Sequence, residues 1–578
     1  MTAAPAPAPA PRQHPPSEYV FGPVRREHLR RLAFVWGWTA FLSFVFFAFH
    51  IGPPVTPEGP GGEQIVQRVM LAGGGLGMLI AWRWEGVGGF LLTFAAIVLG
   101  VLAGVGFHPL EALLVTIVFL VPGLAFLVLW ASQHAWFVMA GTAAIVVAGM
   151  GAGGYGAASL YNYYFGPAHP QSTLVALPAS PVDWLWSGAL TPTSIAVNAR
   201  LAEDGASGRL AVDTDEGFSN PLYSAPAIAA NDTNRVVHFD VAGLEPDTAY
   251  RYAVEVDGQL DLVRQGAFRT PADGPTSFTI AVGACSRLGS NGAVYDAIRG
   301  LDPLMFIATG DFHYANIEVN EISRFRSVYN ETLTRPAQAA LFREVPIAYT
   351  WDDHDFGGNN SNADSASAPA AQAAYRESVP HYPFVADDGS IYQAFTLGRL
   401  RFLLTDSRSD RRGTSMLGEA QTEWLKSELM AAHEAGLVTV WVSSVPWIAS
   451  GGTGDDWGGY VEERADLANF LAENNLAERL VMLAGDAHML AIDDGTNSDY
   501  SDTGNASFPV LEAAALDRPG SVKGGPYSEG TFPGAGQFAL MTVTDDGGDT
   551  IAISWQGYNW ELTPIVGLDM TFSVPPEE

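Results

Sequence analysis

The stretch that decides the fold is "IATGDFHYANIEVN", residues 307–320. An apolar run ends at Gly310-Asp311, and His313 and Tyr314 follow directly. A tight turn needs only the Gly-Asp pair, so the imidazole and the phenol require a further explanation. Carboxylate and imidazole groups are common metal ligands. The stretch therefore predicts a buried strand that ends in part of a metal site.

Other apolar runs in the second half of the chain end in similar polar clusters. These clusters are Cys285 after "SFTIAVGAC", Asp352, Asp353 and His354 in "VPIAYTWDDHD", Asp406 and Arg408 in "RLRFLLTDSRSDR", and Asp486 and His488 in "RLVMLAGDAHML". Helical stretches such as "EAQTEWLKSELMAAH" lie between the runs. Ligand sites of open α/β sheets lie beyond the carboxyl ends of strands. Residues 277–578 are therefore predicted to form an α/β domain in which these clusters converge.

The charge of the chain is unevenly distributed. The formal net charge is −32, yet residues 1–170 contain seven Arg, no Lys and six Glu. The negative charge therefore lies in residues 171–578. This excess argues against nucleic acid as a partner, because phosphate backbones are bound by Lys and Arg, and it suits divalent cations. Cys285 is the single cysteine, so no internal disulfide forms.

The first part of the chain is strongly apolar. Residues 1–31 are predicted to be a disordered, basic N-terminus, with an Ala- and Pro-rich start. Residues 32–160 contain apolar stretches of about 20 residues, the length that crosses the hydrocarbon core of a membrane as a helix. The pattern predicts five transmembrane helices, near 32–51, 65–82, 87–106, 109–130 and 135–157.

The arginines give this bundle an orientation. Arg25, Arg26, Arg30 and Arg31 precede the first stretch and place the N-terminus in the cytoplasm. Five spans then place the acidic part outside the cell. The prediction is an integral protein of the cell membrane with the lipid bilayer as a partner. The scarcity of charges within the spans favours an anchor over a transporter.

Residues 172–272 show short alternating strands separated by turn residues, the pattern of a β-sandwich. "LEPDTAYRYAVEV" (244–256) resembles the hallmark sequence of fibronectin type III domains. Tyr250 is at the position of the tyrosine corner, whose hydroxyl bonds to backbone upstream. The resemblance implies a spacer or lid beside the catalytic part and no chemistry of its own.

The clusters after residue 277 resemble the motifs of the metallophosphoesterase superfamily, and in detail those of its alkaline phosphatase D (PhoD-like) branch. The matching positions are Cys285 in "GACSR", Asp311 and Tyr314 in "GDFHY", Asp353 and His354 in "WDDHD", and Asp486 and His488 in "GDAHM". "TDSRSDR" is similar to the Asp-x-Arg signature of that branch, and Asp355 stands where the branch commonly has Glu. The resemblance covers about residues 277–560.

The resemblance implies a four-layer αββα sandwich and a centre of Fe³⁺ and Ca²⁺, with Zn²⁺ or Mn²⁺ as the alternative. Thiolate and phenolate ligands suit Fe³⁺, and carboxylates suit Ca²⁺. The predicted ligands are Cys285, Asp311, Tyr314, Asp353, Asp486 and His488, with Asp352 and Asn360 as further candidates. His354 is predicted to protonate the leaving oxygen, and Arg408 to hold non-bridging phosphoryl oxygens.

The predicted function is a membrane-anchored, metal-dependent phosphatase. It would hydrolyse phosphate monoesters, diesters or both by attack of a metal-activated water or oxo group. One alternative is a phosphodiesterase of phospholipase type that acts on lipids or cell-surface polymers. Another is an inactive membrane sensor or scaffold, which the intact set of ligands disfavours. The oligomeric state does not follow from the sequence.

Overall fold

The computed structural model divides the chain into two compact units, Met1–Tyr161 and Asn162–Glu578. The structure describes residues 23–50, 72–106, 109–133, 140–141, 177–286, 292–386, 389–450, 455–513, 516–518 and 520–575. Each unit is described by itself.

The described part of the first unit is helical. Its helices are Pro23–His50, residues 72–81, Glu85–Gly106 and Pro109–Ala131. Arg26 and Arg30 in the first turns of the first helix form ion pairs with Glu85, at 2.7 and 3.2 Å. Of the predicted span 135–157, all but residues 140–141 lies outside the described residues.

The prediction of a transmembrane bundle is wrong for this part of the chain. Among the residues that the structure describes, no helix combines the length and the apolar character needed to cross a membrane. The predicted localisation as an integral membrane protein is wrong on the same finding, and nothing in the described residues supports the bilayer as a partner. The hydropathy pattern predicted membrane spans incorrectly because apolar side chains of a helix can also be buried against neighbouring helices. Leu92, Phe119 and Phe126, for example, are fully buried in one helical cluster.

The described strands of the second unit form three sheets. Its strands are β1 Val182–Thr191, β2 Ser194–Leu201, β3 Ser207–Asp213, β4 Leu222–Tyr223, β5 Ala227–Ile228, β6 Val236–Ala242, β7 Ala249–Val256, β8 Gln259–Leu260, β9 Gly266–Arg269, β10 Phe278–Gly283, β11 Met305–Ala308, β12 Ile347–Tyr349, β13 Gln393–Leu397, β14 Leu400–Leu404, β15 Val438–Val442, β16 Leu480–Ala484, β17 Met489–Asp493, β18 Val510–Ala513, β19 Thr531–Pro533, β20 Gln537–Thr544, β21 Thr550–Asn559 and β22 Pro564–Ser573.

The first sheet has the strand order β22-β21-β20-β10-β11-β12-β1-β2-β6, and the second has the order β13-β14-β15-β16-β18-β17-β19. Strands β10, β11 and β12 are parallel neighbours, as are β14, β15 and β16. The carboxyl ends of each trio therefore meet at one edge of its sheet. The helices of this unit are Ala293–Gly300, Ile322–Thr334, Pro336–Glu344, Asp353–Phe356, Ala368–Ser378, Gly418–Glu434 and Val461–Glu473.

The two large sheets pack face to face, with helices on their outer sides. Alternation along the strands produces these layers. In β10, Ile280 and Val282 belong to the core between the sheets, whereas Ala281 belongs to the cluster under the helices. In β15, Val440 faces the same central core and Trp441 faces the outer helices of the second sheet. The result is the predicted order of helices, sheet, sheet and helices.

The predicted β-sandwich region is divided between two sheets. Strands β1, β2 and β6 extend the first large sheet, while β3, β4, β5, β7, β8 and β9 form the third sheet. The link is a parallel pairing of β1 with β12 at Gly188 and Ile347. The predicted contact of Tyr250 is confirmed, because its hydroxyl accepts a 2.8 Å hydrogen bond from the backbone N–H of Glu245.

Candidate metal centre

The candidate site lies where the strand ends of the two large sheets meet. Two glycines permit this approach, one before Asp311 and one before Asp486. A Cβ on Gly310 would lie 3.3 Å from Cβ of Ser444, which follows β15 of the second sheet, and one on Gly485 would lie 2.6 Å from the carbonyl oxygen of Thr309, which follows β11 of the first sheet. The Gly-Asp pairs therefore reflect close contact between the sheets as well as turn chemistry.

The backbone turns sharply at the candidate ligands. Cys285, Asp311, Asp486 and His488 all have positive φ angles, between 53° and 65°. Non-glycine residues rarely adopt this left-handed conformation, which costs free energy and is concentrated at functional sites. The surrounding hydrogen bonds hold it in place: the Cys285 N–H donates to the Gly310 carbonyl at 3.2 Å.

One side of the site gathers a thiol, a phenol and an imidazole around a carboxylate. The Tyr314 hydroxyl lies 2.5 Å from Oδ2 of Asp311 and 2.9 Å from Nε2 of His488. Sγ of Cys285 lies 3.6 Å from the same Asp311 oxygen. Ligand atoms of Cys285, Asp311 and His488 all lie within 4.8 Å of one another, and all three residues are buried.

The other side consists mainly of carboxylates. Asp311, Asp353 and His354 form one group with ligand atoms within 4.8 Å, and Asp311, Asp352 and Asp486 form another. Asp311 belongs to every one of these groups. A single carboxylate with two oxygens is therefore shared by all of these groups of candidate ligands.

Burial sets the charge states of the site. It raises the pKa of Asp311 and of Asp486 well above the usual range, with neighbouring carboxylates adding to the effect. Burial, then the charges of Arg518 and Lys523, lower the pKa of His488 well below its usual value, so its imidazole is neutral. Burial also raises the pKa of Asp353, but His354 and Arg408 outweigh it and the pKa is lowered. A neutral imidazole is the form that binds metals.

The acidic side carries its own counter-ions. Arg408 is fully buried, and its guanidinium lies 2.6 Å from Oδ1 of Asp352 and 3.0 Å from Oδ1 of Asp455. Lys523 Nζ lies 2.7 Å from Oδ1 of Asp486. Ser444 Oγ donates to Asp352 at 2.7 Å. The predicted contact of Arg408 with substrate oxygens would have to displace Asp352 or Asp455.

His354 is held beside the site by its neighbours. Its Nδ1 bonds to Oδ1 of Asn316, its backbone N–H donates to Asp353 at 2.9 Å, and its ring lies 4.1 Å from that of Tyr314, centroid to centroid. The backbone N–H of Asn360 donates to Asp353 at 2.6 Å. With its amide nitrogen turned toward Asp455, the Asn360 side chain donates at 2.9 Å.

Several neighbouring polar residues are placed elsewhere. His313 packs edge-on against Tyr329, and burial lowers the pKa of its imidazole to about 3. Asp406 organises its own turn and accepts a 2.7 Å hydrogen bond from the Trp351 indole.

Sequence reasoning missed four residues of the site, which are Asn316, Ser444, Asp455 and Lys523. For Lys523 the composition gave a signal, because it is one of the two lysines in the chain.

The residues present fit a metal centre. Oδ2 of Asp352 and Oδ2 of Asp486 are buried without a hydrogen-bond partner in the part of the chain that the structure describes. Leaving a buried carboxylate oxygen unpaired is costly, and a cation removes the cost. The donor set combines sulfur, phenol and imidazole with several carboxylates, the ligand types of a transition metal and of a hard divalent cation respectively.

Comparison with known proteins agrees with this geometry. The sequence model of the PhoD-like phosphatase family matches residues 280–515, which contain Cys285, Asp311, Tyr314, Asp353 and His488. The match therefore spans most of the predicted ligand clusters and less than half of the chain. No curated protein matches the chain in sequence.

Two solved structures are similar to the second unit. One is described as the structure of PhoD, with 19% identity, a TM-score of 0.56, and coverage of 68% of this chain and 90% of that one. The other is purple acid phosphatase PPD1 from yellow lupin (Lupinus luteus) seeds, with 13% identity, a TM-score of 0.48, and coverage of 68% and 73%. The first likeness shows the fold.

The match to the PhoD-like phosphatase family indicates a hydrolase, a metal-dependent phosphatase whose substrates are phosphate esters. The αββα fold brings the strand ends together, and the buried ligand groups lie at that edge.

Proposed function

We propose that this chain hydrolyses phosphate monoesters or diesters at a centre of Fe³⁺ and Ca²⁺. Cys285, Tyr314 and His488 would hold the iron, and Asp353 and Asp486 the calcium, with Asp311 shared. The observation that carries the proposal is the position of Asp311, whose carboxylate belongs to each group of candidate ligands. Asp352 and Asn360 would complete the calcium side.

The metal ions would supply Lewis acidity, which neutralises charge on a phosphoryl oxygen and lowers the pKa of water. The protein contributes orientation and proton transfer. Asn316 fixes the ring of His354 through Nδ1, and Nε2 lies 3.9 Å from Oδ1 of Asp353. From this position His354 would donate a proton to the leaving oxygen of the ester.

Arg408 has a positioning role in this proposal. Its guanidinium is fully buried and bonds to both Asp352 and Asp455. A charge-assisted contact to Oδ1 of Asp352 holds that carboxylate in place and leaves its Oδ2 without a partner among the described residues. Arg408 therefore orients Asp352 toward the metal side, and phosphate binding falls to other residues.

The proposal is tested with the full-length protein. The metal-free chain is reconstituted with Fe³⁺ alone, Ca²⁺ alone, both, Zn²⁺ or Mn²⁺, and each sample is assayed on a chromogenic phosphate monoester and diester. We expect hydrolysis of at least one ester to require iron and calcium together. Activity with Zn²⁺ or Mn²⁺ alone would overturn the assignment of metals. A fully loaded protein that hydrolyses neither ester would favour the inactive scaffold.

A further inference from the structure

Lys523 is an exceptional residue in this chain. Arginine supplies nearly all of the positive charge, and the two lysines are Lys426 and Lys523. Lys426 lies on the surface of the helix Gly418–Glu434, where its Nζ is 3.5 Å from Glu423. Lys523 instead lies at the metal centre, with Nζ 2.7 Å from Oδ1 of Asp486.

The loop that carries Lys523 is fastened to the site on both sides. On one side, the backbone N–H of Ser521 donates to the His488 carbonyl at 3.1 Å, and the Ser521 hydroxyl donates to the Ala487 carbonyl at 3.0 Å. On the other side, the N–H of Gly525 donates to the Ile448 carbonyl at 2.7 Å. These bonds hold the lysine over the turn that presents Asp486.

The side chain of Lys523 is partly exposed, unlike those of the neighbouring cations. Its side chain is 37% exposed, whereas Asp486 beneath it is 4% exposed. Arg408 is fully buried between two carboxylates. The buried guanidinium of Arg518 lies over the Tyr314 ring, 4.0 Å from its centroid. Of these three residues, Lys523 is the most exposed to solvent.

The ammonium of Lys523 also has more N–H donors than its contact with Asp486 uses. It offers three N–H groups, and within the described residues its contact of hydrogen-bond length is the one to Asp486. The nearest oxygen of Asp455 lies at 3.7 Å, too far for a good hydrogen bond. The lysine can therefore keep Asp486 and bind a second oxygen at the same time.

An anionic ester that approaches this site meets several carboxylates, which repel it. We infer that Lys523 binds a non-bridging phosphoryl oxygen of the substrate and so attracts and orients the phosphate beside Asp486. This role rests on the proposed function, because it assumes that phosphate esters bind at this centre. It gives the site a phosphate contact that buried Arg408 is not placed to provide.

The test uses inorganic phosphate as the probe and compares Lys523→Met with the matched variant Lys426→Met. The Kd for phosphate is measured by calorimetry on full-length, metal-loaded proteins, with metal content determined on the same samples. A lost charge-assisted hydrogen bond should raise the Kd about tenfold or more in Lys523→Met. Lys426→Met should bind like the wild type, and both variants should keep the wild-type metal content.

Lys523→Arg is the second variant, because it keeps the charge. We expect it to bind phosphate more tightly than Lys523→Met. An unchanged phosphate Kd in Lys523→Met with intact metal content would overturn the inference. Loss of metal from both Lys523 variants would also overturn it, since the lysine would then only support Asp486. A wild type that binds phosphate but hydrolyses no ester would refute the proposed function and leave this inference standing.

Discussion

When no metal is bound, the two sides of the metal centre differ in the charge states of their groups and in the cations beside them. On one side, beside Cys285, burial raises the pKa of Tyr314 well above its usual value and lowers that of His488, so both groups are neutral donors. The opposite side consists of carboxylates that contact fixed cations, Arg408 on Asp352 and Lys523 on Asp486. An ionised buried carboxylate needs a partner cation, whereas a phenol or a neutral imidazole needs none before a metal binds.

The largest effect is expected where the two sides meet. Asp311→Asn removes the charge of the carboxylate that belongs to every candidate ligand group. We expect both metals to be lost together and activity to fall by more than about 100-fold, because loss of an outer-shell partner alone costs 10- to 100-fold. Metal analysis and ester hydrolysis measure this. Asp494→Asn, an exposed loop aspartate, is the control. Retention of either metal would show that Asp311 is not shared.

The second effect concerns the fixed cations of the carboxylate side. Arg408→Met leaves Asp352 without its buried partner, while Asp455 keeps Arg411, and the unpaired Asp352 should lower the free energy of unfolding by about 3–5 kcal/mol. Urea unfolding followed by tryptophan fluorescence measures the change. In the control Arg412→Met, an exposed ion pair with Asp364 is lost, and the change should stay within about 1 kcal/mol. Equal changes in the free energy of unfolding of Arg408→Met and Arg412→Met would contradict the stabilising role of the buried cation.

The smallest effect is a dependence of stability on pH that comes from the carboxylate side. Burial raises the pKa of Asp352 to about 6 and that of Asp355 to about 7. These two carboxyl groups bind more protons in the folded, metal-free protein than in the unfolded chain, so their contribution to the free energy of unfolding falls as pH rises from about 4 to about 7. The lowered pKa values of His313 and His488 contribute with the opposite sign, so the carboxylate contribution is isolated by comparing the wild type with Asp355→Asn. The thermal midpoint of the metal-free wild type should fall relative to that of Asp355→Asn over this range, and a constant difference between the two midpoints would contradict the raised pKa of Asp355.

Much of this site could be predicted from the sequence. Cys285, Asp311, Asp353 and Asp486 each follow an apolar run, and parallel strands bring such residues to one edge. Asn316, Asp455 and Lys523 could not be found in this way, because they follow no strand and reach the site through long-range loop contacts. Lys523 had a compositional signal, as one of two lysines, that spacing does not reveal.

The fold was predictable to a lesser degree. Alternating strands indicated a β-sandwich in residues 172–272, but the sequence does not show that β1 pairs with β12 of the phosphatase sheet, a link at Gly188 and Ile347. In the first unit, hydropathy predicted membrane spans, and no described helix qualifies as one. Apolar composition reports that a residue is buried and does not identify what buries it.

The central claim is that the two sides hold different metals, and one measurement tests it most directly. Iron and calcium are counted, and the visible spectrum is recorded, for the full-length protein, Cys285→Ser and Asp486→Asn after identical reconstitution. The account predicts that Cys285→Ser weakens a thiolate- or phenolate-to-iron band and loses iron while it keeps calcium. Asp486→Asn should keep the band and lose calcium. A wild type that takes up neither iron nor colour, or two variants that lose both metals equally, would contradict it.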